Sequence, residues 1–268
     1  MRVSLVLLAA VCGILSETTS LWQQPIPILR GRTNGMLRIQ KGTDDTTGKY
    51  PYVVAVLGKT KNRICTGTLI APTWVLSAAH CTRGSYVQYG DMTIPRDNIT
   101  ALSKIKKQIP NPNYHAYRFL PKRDIYNDIG LMLVEEIKLN EVGQLSGLDY
   151  HTTFGYRVEY AGFGATNYSS KPTVEDQEKR LQLATGIVLE CHDIQMNLFY
   201  FPRVCIAPEC AVRQSAMVGD SGGPLFHDGK IVAINVGVIH HLHTSICTPI
   251  SPLVPSISIS YHRTLYYL

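Results

Sequence analysis

Short apolar runs alternate with turn-forming residues along most of the chain, and Gly, Pro, Asn and Asp mark the breaks between the runs. Runs of this length that are rich in Val, Ile, Leu and Tyr are typical of β-strands. No long stretch has the three- and four-residue spacing of an amphipathic helix. The pattern therefore predicts an all-β protein, built as a sandwich or a barrel. The predicted strands cover residues 52–57, 68–70, 75–77, 129–134, 157–161 and 231–236.

The first residues depart from this pattern. Met1 and Arg2 precede an apolar run that extends to Leu15, which is the charged start and short hydrophobic middle of a secretory signal. We predict a signal peptide over residues 1–20, cleaved after Ser20. A membrane anchor is the alternative, but the run is shorter than the ~20 apolar residues that a bilayer span needs. The protein is therefore predicted to be secreted and extracellular, with no membrane partner.

Composition and charge narrow the class of protein. The 268 residues are 45% hydrophobic and 17% charged, enough to bury a sizeable core in one large domain or two small ones. Residues 1–38 hold four arginines and one glutamate, so their removal lowers the formal net charge from +6 by three, to +3. This charge does not indicate nucleic-acid binding. The basic residues between 104 and 123 are interpreted as a solvated face rather than a docking surface for acidic partners.

The cysteines are consistent with secretion. Of the seven, Cys12 lies in the predicted signal peptide, and an even number remains. In a secreted chain this indicates three disulfides, although spacing alone leaves about fifteen pairings open. Wide spacing without a C-x-x-C pair argues against zinc, and the histidines between 240 and 243 lack nearby acidic ligands, so no metal is predicted. Asn98 and Asn167 begin glycosylation acceptor sequences.

Three segments carry candidate chemistry. Ser221 lies in the glycine-rich segment 219–225, where backbone amides can surround a reacting carbonyl group. His80 follows two alanines, and Asp128 directly precedes an apolar run. A serine hydroxyl needs a base to become a nucleophile, and histidine can accept its proton near neutral pH. A carboxylate can orient the imidazole, so we interpret His80, Asp128 and Ser221 as a catalytic triad in the chain order His, Asp, Ser.

These segments, together with Arg38 before Ile39, resemble the trypsin and chymotrypsin family of serine endopeptidases. The resemblance extends from about residue 38 to about residue 261, and residues 48–52 look like arthropod members. It implies two six-stranded antiparallel β-barrels with the active site in the cleft between them. We expect the first barrel, with His80 and Asp128, at residues 39–145 and the second, with Ser221 and the specificity pocket, at residues 146–268.

The resemblance also implies an oxyanion hole and a set of disulfides. The N–H groups of Gly219 and Ser221 are expected to bind the oxyanion. Met217 stands where the family has the cysteine of its pocket bridge, so that bridge is expected to start elsewhere. The implied pairs are Cys65–Cys81, Cys191–Cys205 and, by remainder, Cys210–Cys247.

Activation is implied in the same way. Residues 21–38 would be a propeptide, and a trypsin-like protease would cleave after Arg38. The new ammonium group of Ile39 would then pair with Asp220 and order the oxyanion loop, so the precursor is expected to be nearly inactive. Gln40 and Lys41 depart from the family pattern, and Gln40 would bury an amide where a valine normally packs.

The residues matched to the specificity pocket indicate an apolar preference. Ser215 stands where family members that cleave after Lys or Arg have aspartate. Asn235, Val236 and Gly237 match the pocket wall, and Leu253 is expected to fill part of the cavity. The resemblance thus predicts chymotrypsin-like or elastase-like cleavage after apolar side chains.

The sequence therefore predicts a secreted serine endopeptidase that works through an acyl-enzyme. It is expected to be a monomer that needs no cofactor, with protein or peptide substrates, protein inhibitors and an activating protease as partners. The alternative is a catalytically inert homologue that binds or acts as a decoy. Departures from the family pattern at Gln40, Lys41, Asn235, Val236 and Leu253 favour the alternative, and the intact triad favours the enzyme.

Overall fold

β-Strands dominate the computed structural model of the chain, which describes residues 39, 42–116, 125–165, 178–191, 202–209, 214–239 and 243–253. No helix in this described part is long and apolar enough to cross a membrane. Three short 3₁₀ turns occur in it, at Arg96–Asn98, Tyr150–Thr153 and Ser251–Leu253. The strands, numbered β1 to β15 in chain order, are Thr43–Asp44, Val53–Leu57, Arg63–Ala71, Trp74–Ser77, Tyr86–Gln88, Leu102–Pro110, His115–Ala116, Ile125–Tyr126, Gly130–Val134, Arg157–Gly162, Gln182–Glu190, Val204–Pro208, Pro224–His227, Lys230–Ile239 and Thr244–Pro249.

The strands form two barrels. The first is closed in the order β2-β3-β4-β9-β6-β5, and all its pairs are antiparallel. The second has the order β11-β10-β13-β14-β15-β12 and closes through pairing of β11 with β12. Strands β7 and β8 form a separate two-stranded sheet. The predicted all-β class with two six-stranded antiparallel barrels is confirmed.

Strand β1 belongs to the second barrel, although it precedes the first in the chain. Thr43 lies opposite Leu183 of β11, so the amino-terminal end of the described chain is bound to the second barrel. The first barrel begins only at Val53, which differs from the expected start at residue 39. The chain therefore contributes one strand to the second barrel before it enters the first barrel.

The six predicted strands all lie on observed strands, and the overlooked ones have weaker signals. Strand β6 carries Lys104, Lys106 and Lys107 on exposed positions, in agreement with the interpretation of these lysines as a solvated face. A register shift between Ile105 and Lys107 also breaks its alternation. Strand β11 alternates buried and half-buried residues over the first eight of its nine positions, but it contains Gly186, which weakens a strand prediction.

The core of the first barrel extends into the second barrel. Buried residues of β2, β3, β4 and β9 pack in one cluster with Phe226 and Ile231 of the second barrel. Tyr50 stacks on Phe226 with ring centroids 3.9 Å apart and planes inclined by 8°. Offset aromatic stacks of this kind contribute ~0.5–1.5 kcal/mol beyond the area they bury. The stack therefore helps to fix the spacing of the barrels.

Two of the three implied disulfides are present, and the third is wrong. The Cα atoms are 6.2 Å apart in Cys65–Cys81 and 5.2 Å apart in Cys191–Cys205. Cys247 is a free thiol buried within the second barrel, so it does not form the implied bridge with Cys210, which lies outside the described residues. Its sulfur lies 4.0 Å from Asn235 Oδ1, inside the barrel, and burial raises the pKa of this thiol.

A buried threonine on β3 generates a stability prediction. The side chain of Thr68 is fully buried, and its hydroxyl oxygen has no hydrogen-bond partner among the described residues. A buried unsatisfied hydroxyl group costs ~1–3 kcal/mol, and valine has nearly the same shape. We expect Thr68→Val to raise the free energy of unfolding by about 1 kcal/mol, measured by urea denaturation.

Thr66 provides the matched control two residues earlier on the same strand. Its hydroxyl is equally buried but makes two hydrogen bonds, at 2.9 and 3.1 Å. Thr66→Val should lower the free energy of unfolding, since it leaves buried polar partners unpaired. Equal losses in the two variants would contradict the prediction for Thr68.

Candidate active site

Neighbouring strand ends bring His80 and Asp128 together. His80 follows β4 and Asp128 precedes β9, and these antiparallel strands pair Ser77 with Gly130. The His80 backbone N–H donates to Asp128 Oδ1 at 2.9 Å, and His80 Nδ1 lies 2.6 Å from Asp128 Oδ2. The Asp128 side chain is 1% exposed, whereas that of His80 is 30% exposed. The Asp128 carboxylate is therefore buried, whereas the His80 imidazole is partly exposed.

These two contacts fix the orientation of the imidazole ring. An ionised carboxylate can only accept hydrogen bonds. With Asp128 ionised, His80 Nδ1 carries the proton and donates it, which leaves Nε2 as a free acceptor. The arrangement thus leaves Nε2 of the partly exposed His80 side chain able to accept a proton.

The loop of the second barrel that carries Ser221 lies against the end of β4. The Thr66 N–H donates to the Ser221 carbonyl at 2.9 Å, and Cys81 Sγ lies 3.8 Å from that same oxygen. Gly222 has φ +83°, and a Cβ there would collide with the Ser77 hydroxyl group. The backbone of Ser221 is thus next to the segment that carries the base. Within the described residues, no hydrogen bond joins the Ser221 hydroxyl to the imidazole.

Two backbone N–H groups beside Ser221 are available to a ligand. The Ala165 N–H donates to the Val218 carbonyl at 2.7 Å. Because the peptide is trans, the N–H of Gly219 points away from that bond. In the part of the chain that the structure describes, neither this N–H nor that of Ser221 has an acceptor. Gly219 adopts φ +100°, a conformation that requires glycine.

Thr66 ties the loop to the first barrel. Its hydroxyl accepts a hydrogen bond from the Phe163 N–H at 3.1 Å and donates to the Gly219 carbonyl at 2.9 Å. Its carbonyl accepts from the Ser77 hydroxyl at 2.7 Å. Sequence reasoning missed this residue because a threonine inside a strand gives no chemical signal.

Asp220 is fully buried beneath the loop. Its Oδ1 accepts from the Gly164 N–H at 2.7 Å, and its Oδ2 accepts from the Met217 N–H at 2.7 Å. Burial raises the pKa of this carboxyl to about 6, against the lowering effect of the two amide bonds and of the Lys179 charge. Ile39 is buried in the core of the second barrel.

The residues assigned to the pocket include Ser215 and three residues of β14. Ser215 and Asn235 are buried, while Val236 and Gly237 are half-buried. The register places Asn235 opposite Cys247 and Gly237 opposite Ile246. The residue next along β15 is Ser245, whose hydroxyl accepts from the Ala216 N–H at 3.1 Å. Sequence reasoning missed Ser245 because strand register fixes its position.

The backbone of Leu253, the remaining residue assigned to this pocket, lies in the 3₁₀ turn after β15, and the assignment stays a prediction. Just before that turn the Ile250 N–H donates to the Val232 carbonyl, at the opposite end of β14 from Gly237. Ser251 in the same turn accepts from the Tyr150 N–H at 3.1 Å, which ties the turn to the connection between the barrels.

The structure also locates some of the candidate residues for glycosylation and metal binding. Asn98 is exposed in a 3₁₀ turn, so its side chain is accessible for glycosylation. The donor atoms of Cys65, His80 and Cys81 lie within 4.8 Å of one another, but the two sulfurs are joined as a disulfide. The predicted signal peptide at 1–20 and propeptide at 21–38, with Arg38, lie outside the described residues, as do Gln40–Lys41, Asn167 and Cys210.

Two antiparallel six-stranded barrels, with a histidine–carboxylate pair on one and a serine loop of the other packed against it, are the architecture of chymotrypsin-like serine proteases.

Comparison with known proteins gives the family. The family model of trypsin matches residues 39–257, which is most of the chain, so this protein belongs to the trypsin family. Kallikrein-11 of Mus musculus is 28% identical over 216 residues, which cover 78% of this chain and 75% of that protein. The alkaline trypsin C of Manduca sexta is 28% identical over 214 residues, which cover 74% of this chain and 79% of that protein.

A solved structure shows the same fold. Neuropsin, a serine protease expressed in the limbic system of mouse brain, matches with a TM-score of 0.69 at 22% sequence identity. The match covers 82% of this chain and 99% of neuropsin.

The raised pKa of Asp220 generates a pH prediction for the uncleaved chain. Below about pH 4 the carboxyl is protonated in both the folded and the unfolded chain, so it adds no pH dependence there. Between about pH 4 and the folded pKa of about 6, the unfolded chain ionises first, and the free energy of unfolding falls as pH rises. The loss attributable to Asp220 should reach about 3 kcal/mol above pH 6.

Urea denaturation of the uncleaved chain and of its Asp220→Asn variant, at several pH values from 4 to 7, measures this contribution as a difference. A difference that stays constant across this range would show that the carboxyl titrates normally.

Proposed function

We propose that this protein is a secreted serine endopeptidase that hydrolyses peptide bonds through an acyl-enzyme. In this proposal Ser221 is the nucleophile, His80 the general base and acid, and Asp128 the residue that orients His80. The supporting observation is the pair of hydrogen bonds from His80 to Asp128, at 2.9 and 2.6 Å, which aims Nε2 outward. Substrates are proteins or peptides, and protein inhibitors would bind the same cleft.

The chemistry follows from these positions. The Ser221 oxygen attacks the carbonyl carbon while His80 Nε2 takes its proton, and the resulting imidazolium is stabilised by Asp128. The N–H groups of Gly219 and Ser221 donate to the oxyanion, for which they have no competing acceptor among the described residues. The C–N bond then breaks as His80 returns the proton to the leaving amine. Water repeats the sequence on the ester and releases the acid.

The Ser221 hydroxyl must turn toward His80 for this reaction. Catalytic hydrogen bonds are often long or absent without substrate and tighten in the substrate complex. The Thr66 bonds to Gly219 and Ser221 keep the loop backbone in place, so the required movement is confined to the side chain.

Activation is proposed to follow cleavage after Arg38 by a trypsin-like protease. The new ammonium group at Ile39 would pair with the Asp220 carboxylate, whose burial is otherwise unfavourable for the charged form. Pairing would favour the ionised carboxylate and strengthen its two bonds to the Gly164 and Met217 N–H groups.

The pocket supports cleavage after apolar side chains. Ser215 is neutral, so the pocket position that it occupies offers no carboxylate for a Lys or Arg side chain. Ser245, a small residue, stands beside Ala216. A small side chain at this position leaves room in the pocket and favours medium or large apolar side chains over small ones.

A catalytically inert homologue that binds or acts as a decoy is the second candidate. The observation that favours it is that the Ser221 hydroxyl makes no hydrogen bond to His80 in the described structure. Asn235, one of the departures from the family pattern, directs its Oδ1 toward Cys247 Sγ, with the two atoms 4.0 Å apart.

Labelling with a peptidyl organophosphonate after cleavage at Arg38 separates the two candidates. We expect one adduct per chain, at Ser221, because only an activated serine reacts with this reagent. Ser221→Ala should abolish the adduct and lower peptide turnover at least ~10³-fold. Ser85→Ala, in the first barrel, is the control that should keep full activity. A folded, cleaved chain that resists labelling would establish the inert homologue.

Cleavage of a peptide library tests the pocket. We expect Ser245→Val to lower kcat/KM for substrates with Phe or Tyr at the cleaved position at least ~10-fold relative to Ala, because added methyl groups fill the cavity. Leu253→Gly should leave the preference unchanged, since its turn lies at the other end of β14. The opposite outcome for the two variants would favour the assignment of Leu253 to the pocket.

A further inference from the structure

The hydroxyl group of Thr66 has its hydrogen-bonding direction fixed by its partners. It accepts from the Phe163 N–H at 3.1 Å, and an N–H group can only donate. The hydroxyl proton is therefore available for the Gly219 carbonyl, which lies 2.9 Å away. The Thr66 side chain is fully buried, so bulk water does not compete for these bonds. The hydroxyl thus links the Phe163 backbone to Gly219 in one orientation.

Three consecutive peptide groups, over residues 218–221, connect the two N–H groups that are proposed to bind the oxyanion. The outer two peptide groups carry these N–H donors. The Val218 carbonyl accepts from the Ala165 N–H at 2.7 Å, and the Asp220 carbonyl accepts from the Gly223 N–H at 2.9 Å. Because both peptides are trans, each donor N–H points away from the carbonyl that is held. Each outer peptide group is therefore fixed by a backbone bond within the second barrel.

The middle peptide group sets the angle between the two donors. Its N–H, that of Asp220, donates to the Met217 carbonyl at 3.0 Å, a bond within the same loop. Its carbonyl, that of Gly219, accepts from the Thr66 hydroxyl. Gly219 has φ +100° and no side chain, so its backbone can reach more conformations than that of any other residue. The Thr66 hydroxyl therefore restricts the one residue of the loop that has the most freedom to turn.

We propose that Thr66 is a positioning residue, whose hydroxyl sets the angle between the two oxyanion donors by holding the Gly219 carbonyl. This inference rests on the proposed endopeptidase function. Thr66 touches neither the substrate nor the reacting atoms and acts through Gly219. The oxyanion gains its charge as the tetrahedral intermediate forms, so loss of the hydroxyl should lower kcat and leave KM nearly unchanged.

The test measures kcat and KM of the chain cleaved after Arg38, with a peptide anilide that has Phe at the cleaved position. When the chemical step is slow, KM approximates the substrate dissociation constant. Thr66→Val removes the hydroxyl with little change of shape, and Thr66→Ser retains it. Thr68→Val is the matched control on β3, because the Thr68 hydroxyl is equally buried and has no hydrogen-bond partner among the described residues.

Two inhibitors separate the oxyanion from the rest of the cleft. A peptidyl aldehyde forms a tetrahedral adduct with Ser221, in which the former carbonyl oxygen takes the place of the oxyanion. The corresponding peptidyl alcohol has the same side chains but cannot form this adduct. The ratio of their inhibition constants therefore reports on the two donors and not on the specificity pocket.

We expect Thr66→Val to lower kcat at least ~10-fold and to change KM less than about threefold, because a donor that is misplaced costs part of what a missing donor costs. The aldehyde should bind less tightly by a similar factor, and the alcohol should bind within about twofold of wild type. Thr66→Ser should restore kcat to within about threefold, and Thr68→Val should have the wild-type value.

The other results overturn separate claims. If Thr66→Val keeps the wild-type kcat, or Thr66→Ser is as slow as Thr66→Val, the role of the hydroxyl is overturned and the endopeptidase stands. Equal weakening of the aldehyde and the alcohol shows a general effect on the cleft and also overturns the proposal. A cleaved wild-type chain without turnover contradicts the proposed function itself.

Thermal melting checks the fold of each variant. If Thr66→Val does not melt cooperatively, Thr66→Ala replaces it in all the measurements. Failure of both variants to fold would show that Thr66 is needed only for the structure, and it would overturn the positioning role.

Discussion

The contacts of Thr66 with the nucleophile loop are the constraint on which the rest of the site depends. The proposed base and its carboxylate lie on the first barrel, and the proposed nucleophile lies on the second. Thr66 N–H binds the Ser221 carbonyl and its hydroxyl binds the Gly219 carbonyl, so one residue of β3 sets the loop position in two places. The Tyr50–Phe226 stack fixes the same relation deeper in the core. These contacts therefore position the Ser221 loop of the second barrel relative to His80 and Asp128 of the first.

Much of the first barrel and of the candidate triad could be predicted from the sequence. His80 and Asp128 directly adjoin strong apolar runs, so their strands were predicted, and strand pairing brings the two residues together. Short runs and glycines around Ser221 indicated its loop for the same reason. Such features are local, and local patterns survive folding when one face of each strand is buried.

The residues that the sequence analysis missed or paired wrongly depend on contacts between segments far apart in the chain. Ser245 was overlooked because nothing near it in the sequence specifies how β14 and β15 align, and the fold places it beside Ala216. Cys247 was paired by remainder, but its strand turns the thiol into the barrel core. In the sequence, Lys179 is one of several charged residues between positions 175 and 180. Only the fold shows that this side chain is buried and that its ammonium group donates to the Gly164 carbonyl.

The free thiol of Cys247 also determines how strands β14 and β15 are held together. With no covalent link at Cys247, strands β14 and β15 are joined by their ladder of backbone hydrogen bonds, which shifts register between Asn235 and Gly237. A bulge of this kind bends a strand and interrupts its ladder. In the described part of the chain, this strand pair is therefore held by backbone hydrogen bonds alone, and they are interrupted beside the residues assigned to the pocket wall.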